Sequence, residues 1–274
     1  MSEPIVRLAC FIGVFLVMAG LEALIPKRTL AAGRRDRWAT NLTIVALGSL
    51  AVRALAWLSS LIAVPLVAVL AAEAAQSQGW GLLNAWSSGA DWPKIAITLL
   101  ALDLAIYLQH VASHKVPMLW RLHRMHHADV DFDVTTAIRF HPIEIALSML
   151  YKVACVLALG APAMAVVSFE VLLNACAMFN HANVDLPAPL ERALRLILVT
   201  PDMHRVHHSV IRAEHDSNYG FNLSVWDRLF ATYTAKPRDG QRGMAIGLSE
   251  FPGPAPSRLG WCLALPFRGR NGSD

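Results

Sequence analysis

Charged side chains are scarce in this sequence. Asp, Glu, Lys and Arg make up 16% of its 274 residues, where an ordinary soluble domain carries roughly 25%. Hydrophobic residues reach 55% and gather in long runs, which excludes a plain water-soluble domain and points to a membrane protein. Cysteine is sparse too. Cys10, Cys155, Cys176 and Cys262 form no CxxC, and three of them sit inside apolar runs, so neither a disulfide framework nor a zinc knuckle is expected. No GxGxxG, haem-attachment motif or ferredoxin-like cysteine run occurs, so the chain has no cofactor-binding motif for flavin, NAD or haem. No internal repeat of about 20–50 residues is visible. The formal net charge is +4, with no basic stripe interleaved with aromatics, and nucleic acid is not an expected partner. Histidine is absent before His110 and after His215.

The apolar runs predict an all-α integral membrane bundle of about four to five transmembrane helices, multi-pass, with a histidine-rich helical cap on the cytoplasmic side. The first run, about residues 8–25, has no small-residue cleavage site and reads as a retained span rather than a signal peptide. The loop after it holds Lys27, Arg28, Arg34, Arg35 and Arg37 against Asp36 alone, a cytoplasmic mark. A second run, 42–70, exceeds the roughly 20 residues that one span needs. With Arg53 inside it and Pro65 near its end, it fits one tilted helix or a span with an interfacial extension. Residues 71–92, rich in Gly, Ser, Asn and Trp and free of Lys and Arg, are expected to face outward. A third span starts near Lys94 and delivers His110 and His114 at the cytoplasmic rim, where Pro117 ends or bends it. Spans at about 143–159 and 162–179 are joined by Gly160-Ala161-Pro162, an external hairpin that returns His181 to the side of the other histidines. The chain divides into N-terminal spans and loops (1–93), a histidine-bearing region that includes further spans (94–235) and an irregular cytoplasmic tail (236–274).

The histidines carry the chemistry. They occur as His110-x-x-x-His114, His123-x-x-His126-His127 and His204-x-x-His207-His208. On a helix, positions i and i+4 share a face, and i+3 lies beside them. Neutral imidazole suits iron, zinc or copper. Eight such ligands exceed what one ion takes, so two metals are inferred. His181 follows the fifth span and is read as a ninth ligand. Glu170 and Asn174 fall on the same helical face as His181 and are expected to be its hydrogen-bonding neighbours. Asp103 lies on the face of His110 and His114; it is either a carboxylate that accepts their spare N–H or a polar helix-packing contact. His141 is either a second-layer group or an anchor for a helix start. His215, in Glu214-His215-Asp216-Ser217-Asn218, is expected to be a solvated loop residue.

Beyond the spacing, LWRLHRMHHAD, TTAIRFHPIE, FNHANVDLP, TPDMHRVHHS and NYGFNLSVWDRLFATY occur in this order. Over roughly Asp103 to Tyr233 the sequence resembles the fatty acid hydroxylase / sterol desaturase superfamily of integral membrane non-haem di-iron enzymes. The resemblance implies a catalytic domain over 94–235 and two Fe ions held at the cytosolic membrane surface by His110, His114, His123, His126, His127, His204, His207 and His208. His181 stands where relatives often have a further metal histidine. It also implies O2 as cosubstrate and a lipid as substrate, such as a sterol or fatty acyl chain. The outcome is hydroxylation, desaturation or ether cleavage, catalysed by the di-iron centre itself. Two departures stand out: Val111 replaces the arginine common after the first histidine, and Ala177 occupies the position four before His181, where some relatives have histidine. Reducing equivalents must come from a separate electron donor, a ferredoxin or cytochrome b5 type with its reductase. The alternative is a metal-binding membrane protein or metal transporter without oxygenase activity, although a transporter favours mid-membrane ligands and repeated halves. A zinc hydrolase would need an open metal position and a carboxylate base near the motifs.

Overall fold

Five long apolar helices set the architecture of the computed structural model, which describes residues 3–86 and 90–269. Part of the expected outward segment, 87–89, and the end of the expected tail, 270–274, lie outside the described residues. Each of the five, α1 (Glu3–Leu24), α2 (Arg34–Ile62), α4 (Trp92–Lys115), α6 (Pro142–Leu159) and α7 (Ala163–Asn180), is long and apolar enough to cross a membrane. Among the described residues there is no strand, only three isolated bridges, Pro26–Val184, Leu198–Leu223 and Ser209–Ile246. The chain is an all-helical integral membrane protein.

The long second run is broken. Ala63 turns left-handed at φ 55° to end α2, and Pro65, which has no N–H to give a helix interior, lies in the gap before α3 (Ala68–Gln78). This separates a span from a short packing helix, and it makes the first part of the expected outward segment helical. Ala68, Ala71 and Ala72 are buried with Leu102, Val153, Val156, Val166 and Phe169 in one core cluster. Alanine along that face allows α3 to approach α6 and α7 closely.

The remaining helices are short: α5 (Pro117–His127), α9 (Pro201–His207), α10 (Arg212–His215), α12 (Gly240–Gly243) and α13 (Leu259–Ala264) gather at one end of the bundle, and α8 (Ala188–Leu194) and α11 (Val225–Leu229) lie beside it, with Trp226 of α11 reaching Asp103 of α4. Both helices that carry an HxxHH motif begin with proline at their first position, where its missing N–H has no intrahelical partner to lose. Thr200 caps α9 by accepting from the Met203 N–H at 3.3 Å. The tail segment packs onto this end: Leu248, Phe251, Cys262 and Leu265 share a core with Ile44 and Met125, and the Gly247 N–H donates to the His208 carbonyl at 3.1 Å.

The far end closes where two glycines meet. Gly81 sits at φ +91° and Gly160 at φ +68°, and a Cβ on Gly81 would lie 2.1 Å from the Gly160 nitrogen. Gly79, at φ +68°, has open space around it. Gly81→Ala should therefore lower stability by more than the roughly 1 kcal/mol that left-handed strain alone costs, and Gly79→Ala by about that amount. Thermal unfolding in detergent micelles measures both; equal losses would contradict the close contact.

Candidate metal centre

Helical phase sorts the histidines into two pockets. Counting about 100° per residue, His127 lies about 40° from His123 and His126 about 60° the other way, so each HxxHH motif serves two directions. The structure groups His110, His114, His123, His127 and His207 in one pocket and His126, His181, His204 and His208 in the other, with potential ligand atoms in each group within 4.8 Å of one another. The i, i+4 pairs stay together, and the i+3 members, His126 and His207, cross over. The pockets adjoin: the His127 and His208 rings stack at 4.5 Å and those of His204 and His207 at 5.0 Å. All nine rings are buried, none more than 4% exposed.

A second layer sets which nitrogen faces inward. Nδ1 of His110 donates to the Tyr219 carbonyl at 2.7 Å, that of His207 to the Ser217 carbonyl at 2.6 Å and that of His181 to the Ala177 carbonyl at 2.8 Å. A carbonyl only accepts, so in these neutral rings the proton is on Nδ1 and Nε2 carries a bare lone pair. His123 Nδ1 does the same to the Glu144 carboxylate at 2.7 Å. Yet Nε2 of His207 lies 3.0 Å from Nε2 of His110, and Nε2 of His110 lies 3.1 Å from that of His123. Lone pairs aimed at each other repel unless a cation lies between them. Further buried ring nitrogens, both of His114, both of His208 and Nδ1 of His126, His127 and His204, have no hydrogen-bond partner. Orphaned nitrogens and facing lone pairs fit a metal in each pocket, and an all-imidazole donor set suits iron, zinc or copper.

Protonation agrees. Burial, reinforced by neighbouring imidazoles, pushes the ionisation of His126, His127, His204, His207 and His208 well below the usual imidazole value. Burial brings His181 down to about 4. These rings are neutral near pH 7, the form that binds metals.

The loops between the ligands are held by buried charge. Arg37 of α2 donates to Asp129 at 2.7 Å and to Asp133 at 2.8 Å, with both partners 1% exposed or less. Burial alone would raise the Asp129 carboxyl, but the Arg37 and Arg139 guanidiniums beside it hold it far below its ordinary value. Arg139 donates to the Met125 carbonyl and Asn41, both next to this network. One Glu22 oxygen accepts from the Val134 and Asn183 N–H groups, each at 2.7 Å. It thereby joins the loop after His127 to the loop after His181. Asp227 accepts from the Tyr219 and Gly220 N–H groups at 2.8 Å, fixing the turn whose carbonyls orient His110 and His207.

Other candidates lie elsewhere. Glu170 pairs with Lys152 at 2.6 Å and with Arg7, and Asn174 donates to the Glu170 carbonyl at 2.8 Å. Neither is a neighbour of His181: they share its helical face, but Glu170 is eleven residues away, about 16 Å along the axis. Asp103 accepts from Trp226 Nε1 at 2.7 Å, so of its two readings the packing contact holds. His141 caps α6 by accepting from the Ile143 N–H at 3.2 Å; it anchors the helix start. His215 is not solvated. It is 4% exposed, and its ring lies 4.8 Å from His127, 5.1 Å from His114 and 4.9 Å from Trp120. The polar residues around it bond to their own neighbourhood, Asp216 to Lys115 and Arg212 and the Ser217 hydroxyl to the Glu214 carbonyl, and so fold the turn inward. Glu144 was missed by sequence reasoning. Its signal was an acid in the first turn of a membrane span, three residues after His141.

A polytopic helical membrane protein with two adjoining histidine pockets is thus the class that the geometry defines. Residues 95–232 match the family described as Fatty acid hydroxylase, half of the chain, and the chain belongs to that family. Among curated proteins it is 31% identical over 159 residues to the ornithine lipid hydroxylase of Rhizobium tropici, covering 57% of this chain and 47% of that one. It is 30% identical over 168 residues to human (Homo sapiens) alkylglycerol monooxygenase, covering 61% and 36%. It is also 30% identical over 141 residues to a cholesterol 25-hydroxylase-like protein of Danio rerio, covering 50% and 54%. The matches thus span about half or less of the length of these relatives. No solved structure matches the chain with significance.

Glu144 gives the sharpest test of the second layer. Glu144→Ala should weaken metal binding in the five-histidine pocket by about 10–100-fold, and Asn174→Ala should leave it unchanged. Metal titration of the purified protein, read by bound-metal analysis, checks both; unchanged affinity in the Glu144 variant would show that the carboxylate does not hold its histidine.

Proposed function

We propose that this protein is a membrane-bound non-haem di-iron oxygenase that uses O2 to hydroxylate or desaturate a C–H bond of a lipid. The observation that carries this reading is the division of nine buried imidazoles into adjoining groups of five and four. One iron would be held by His110, His114, His123, His127 and His207, the other by His126, His181, His204 and His208. Bound iron supplies the O2-activating redox chemistry that amino-acid side chains lack. The chain's own part is to aim the imidazoles, keep them neutral and exclude water. The Tyr219, Ser217 and Ala177 carbonyls and the Glu144 carboxylate do the aiming. Phe140, stacked on His126 at 4.3 Å, and Phe221, at 4.9 Å from the His110 ring, make the surroundings apolar and suited to an acyl or sterol skeleton.

The relatives support the reaction class, since their names are those of hydroxylases and a monooxygenase. Those names differ in substrate, so the reading stops at a lipid. The 94–235 region is the catalytic unit in this reading. The histidine side is assigned to the cytoplasm because Lys27, Arg28, Arg34 and Arg35 follow α1 at that end. A separate electron donor of the ferredoxin or cytochrome b5 type, with its reductase, completes the system. Exposed Arg34, Arg35, Lys115 and Arg121 offer an acidic carrier a basic docking face.

Purified protein supplied with ferrous iron, O2, a reductant and a lipid extract should bind about two irons and yield an oxygenated or unsaturated lipid, detected by mass spectrometry. His126→Ala and His207→Ala should each abolish the product while the protein remains in the membrane. Metal flux in proteoliposomes without lipid oxidation would overturn the reading.

A further inference from the structure

Two segments outside the five spans expose apolar side chains side by side. The Ser224 N–H donates to the Ile197 carbonyl and Arg228 to the Arg195 carbonyl, both at 2.8 Å, which ties the chain around α11 to the stretch after α8. Leu190, Leu196, Ile197, Val225, Leu229 and Phe230 are 37–69% exposed. The acids among them are buried, Glu191 at 8% and Asp227 at 0%, whereas Arg192, Arg228 and Lys236 are exposed.

The depth of this patch follows from its contacts with α4. The Tyr219 carbonyl meets His110. Further along, Leu223 N–H and Trp226 Nε1 both reach Asp103, and Phe230 stacks on Tyr107 at 5.4 Å. Asp103 precedes His110 by seven residues, about 10 Å along the axis toward the opposite side. The chain from 219 to 226 therefore runs down α4, away from the histidine end, and turns back by Phe230, which lies at the level of Tyr107. The α6 and α7 spans have 18 residues each, about 27 Å, and meet the site at their ends through Glu144 and His181. A hydrocarbon layer of roughly 30 Å must then begin close to the histidines, so a segment at the level of Asp103 and Tyr107 lies inside the leaflet.

We propose that these two segments form a wedge that enters the lipid leaflet on the histidine side. Its apolar residues lie among acyl chains, and Arg192, Arg228 and Lys236 reach lipid phosphates. Long basic side chains snorkel in this way, and a patch that exposes Arg192, Arg228 and Lys236 while burying Glu191 and Asp227 matches an anionic headgroup layer. The inference rests on the membrane-spanning fold and not on the oxygenase reading. It is tested by lipid contact and not by turnover, so its failure leaves the catalytic reading untouched.

The test places the photo-crosslinker p-benzoylphenylalanine at Ile197 or Leu229 of the full chain, reconstituted in nanodiscs of phosphatidylcholine and phosphatidylglycerol and irradiated. Intact mass should show phospholipid adducts at both positions, in yields matching the same probe at Leu16, an α1 position 63% exposed, and several-fold above the probe at Arg212, in α10. Yields no higher than at Arg212, or a covalent dimer in place of lipid adducts, would overturn the wedge.

Discussion

Lone pairs of like kind, packed at about 3 Å in a dry interior, constrain everything else in this protein. An apolar bundle has no reason to gather nine imidazoles, and without cations their facing nitrogens oppose folding. The structure accepts that arrangement because each pocket is braced from behind. Carbonyls from the 217–219 turn and the end of α7, together with the Glu144 carboxylate, fix the proton on the outer nitrogen of four rings. Such outer partners orient ligands and raise their basicity. The preorganisation is built from backbone as much as from side chains.

The bracing reaches beyond the half of the chain that defines the family. Glu22 of α1 and Arg37 of α2 precede residue 95, where the family match begins, yet both are fully buried. Arg37 with Asp129 and Asp133 is a buried ionic cluster of the kind whose loss of one partner costs about 3–5 kcal/mol, although replacing the whole set with apolar groups need not. Its value lies in geometry: it fixes the loop that leaves His127, as Glu22 fixes that loop against the one leaving His181. The N-terminal spans are thus part of the site's frame, besides holding it in the membrane.

Much of this was legible in the sequence, for physical reasons that vary by residue. Hydropathy placed the spans because lipid imposes a length, and the i, i+4 rule paired His110 with His114 and made convergence foreseeable. His181 could be read from its position at the end of a span. Phase alone misled for Glu170 and Asn174, since a shared helical face fixes direction and says nothing of depth. His215 looked solvated because its neighbours are polar, but those neighbours find partners in the folded chain, Asp216 in Lys115 and Arg212 and Glu214 in Arg238, and leave the ring facing His114 and His127. The Ser217 and Tyr219 carbonyls have no sequence signature at all, because a backbone acceptor is chemically identical at every residue. The wedge around α11 was hidden too, because depth comes from the contacts of Trp226 and Phe230 with α4 and not from hydropathy.

The most direct measurement of the central claim is crystallographic: anomalous diffraction at the iron edge from protein purified with ferrous iron. The account predicts two iron peaks, one among His110, His114, His123, His127 and His207 and the other among His126, His181, His204 and His208. A single peak, or iron bound only outside these pockets, would contradict it.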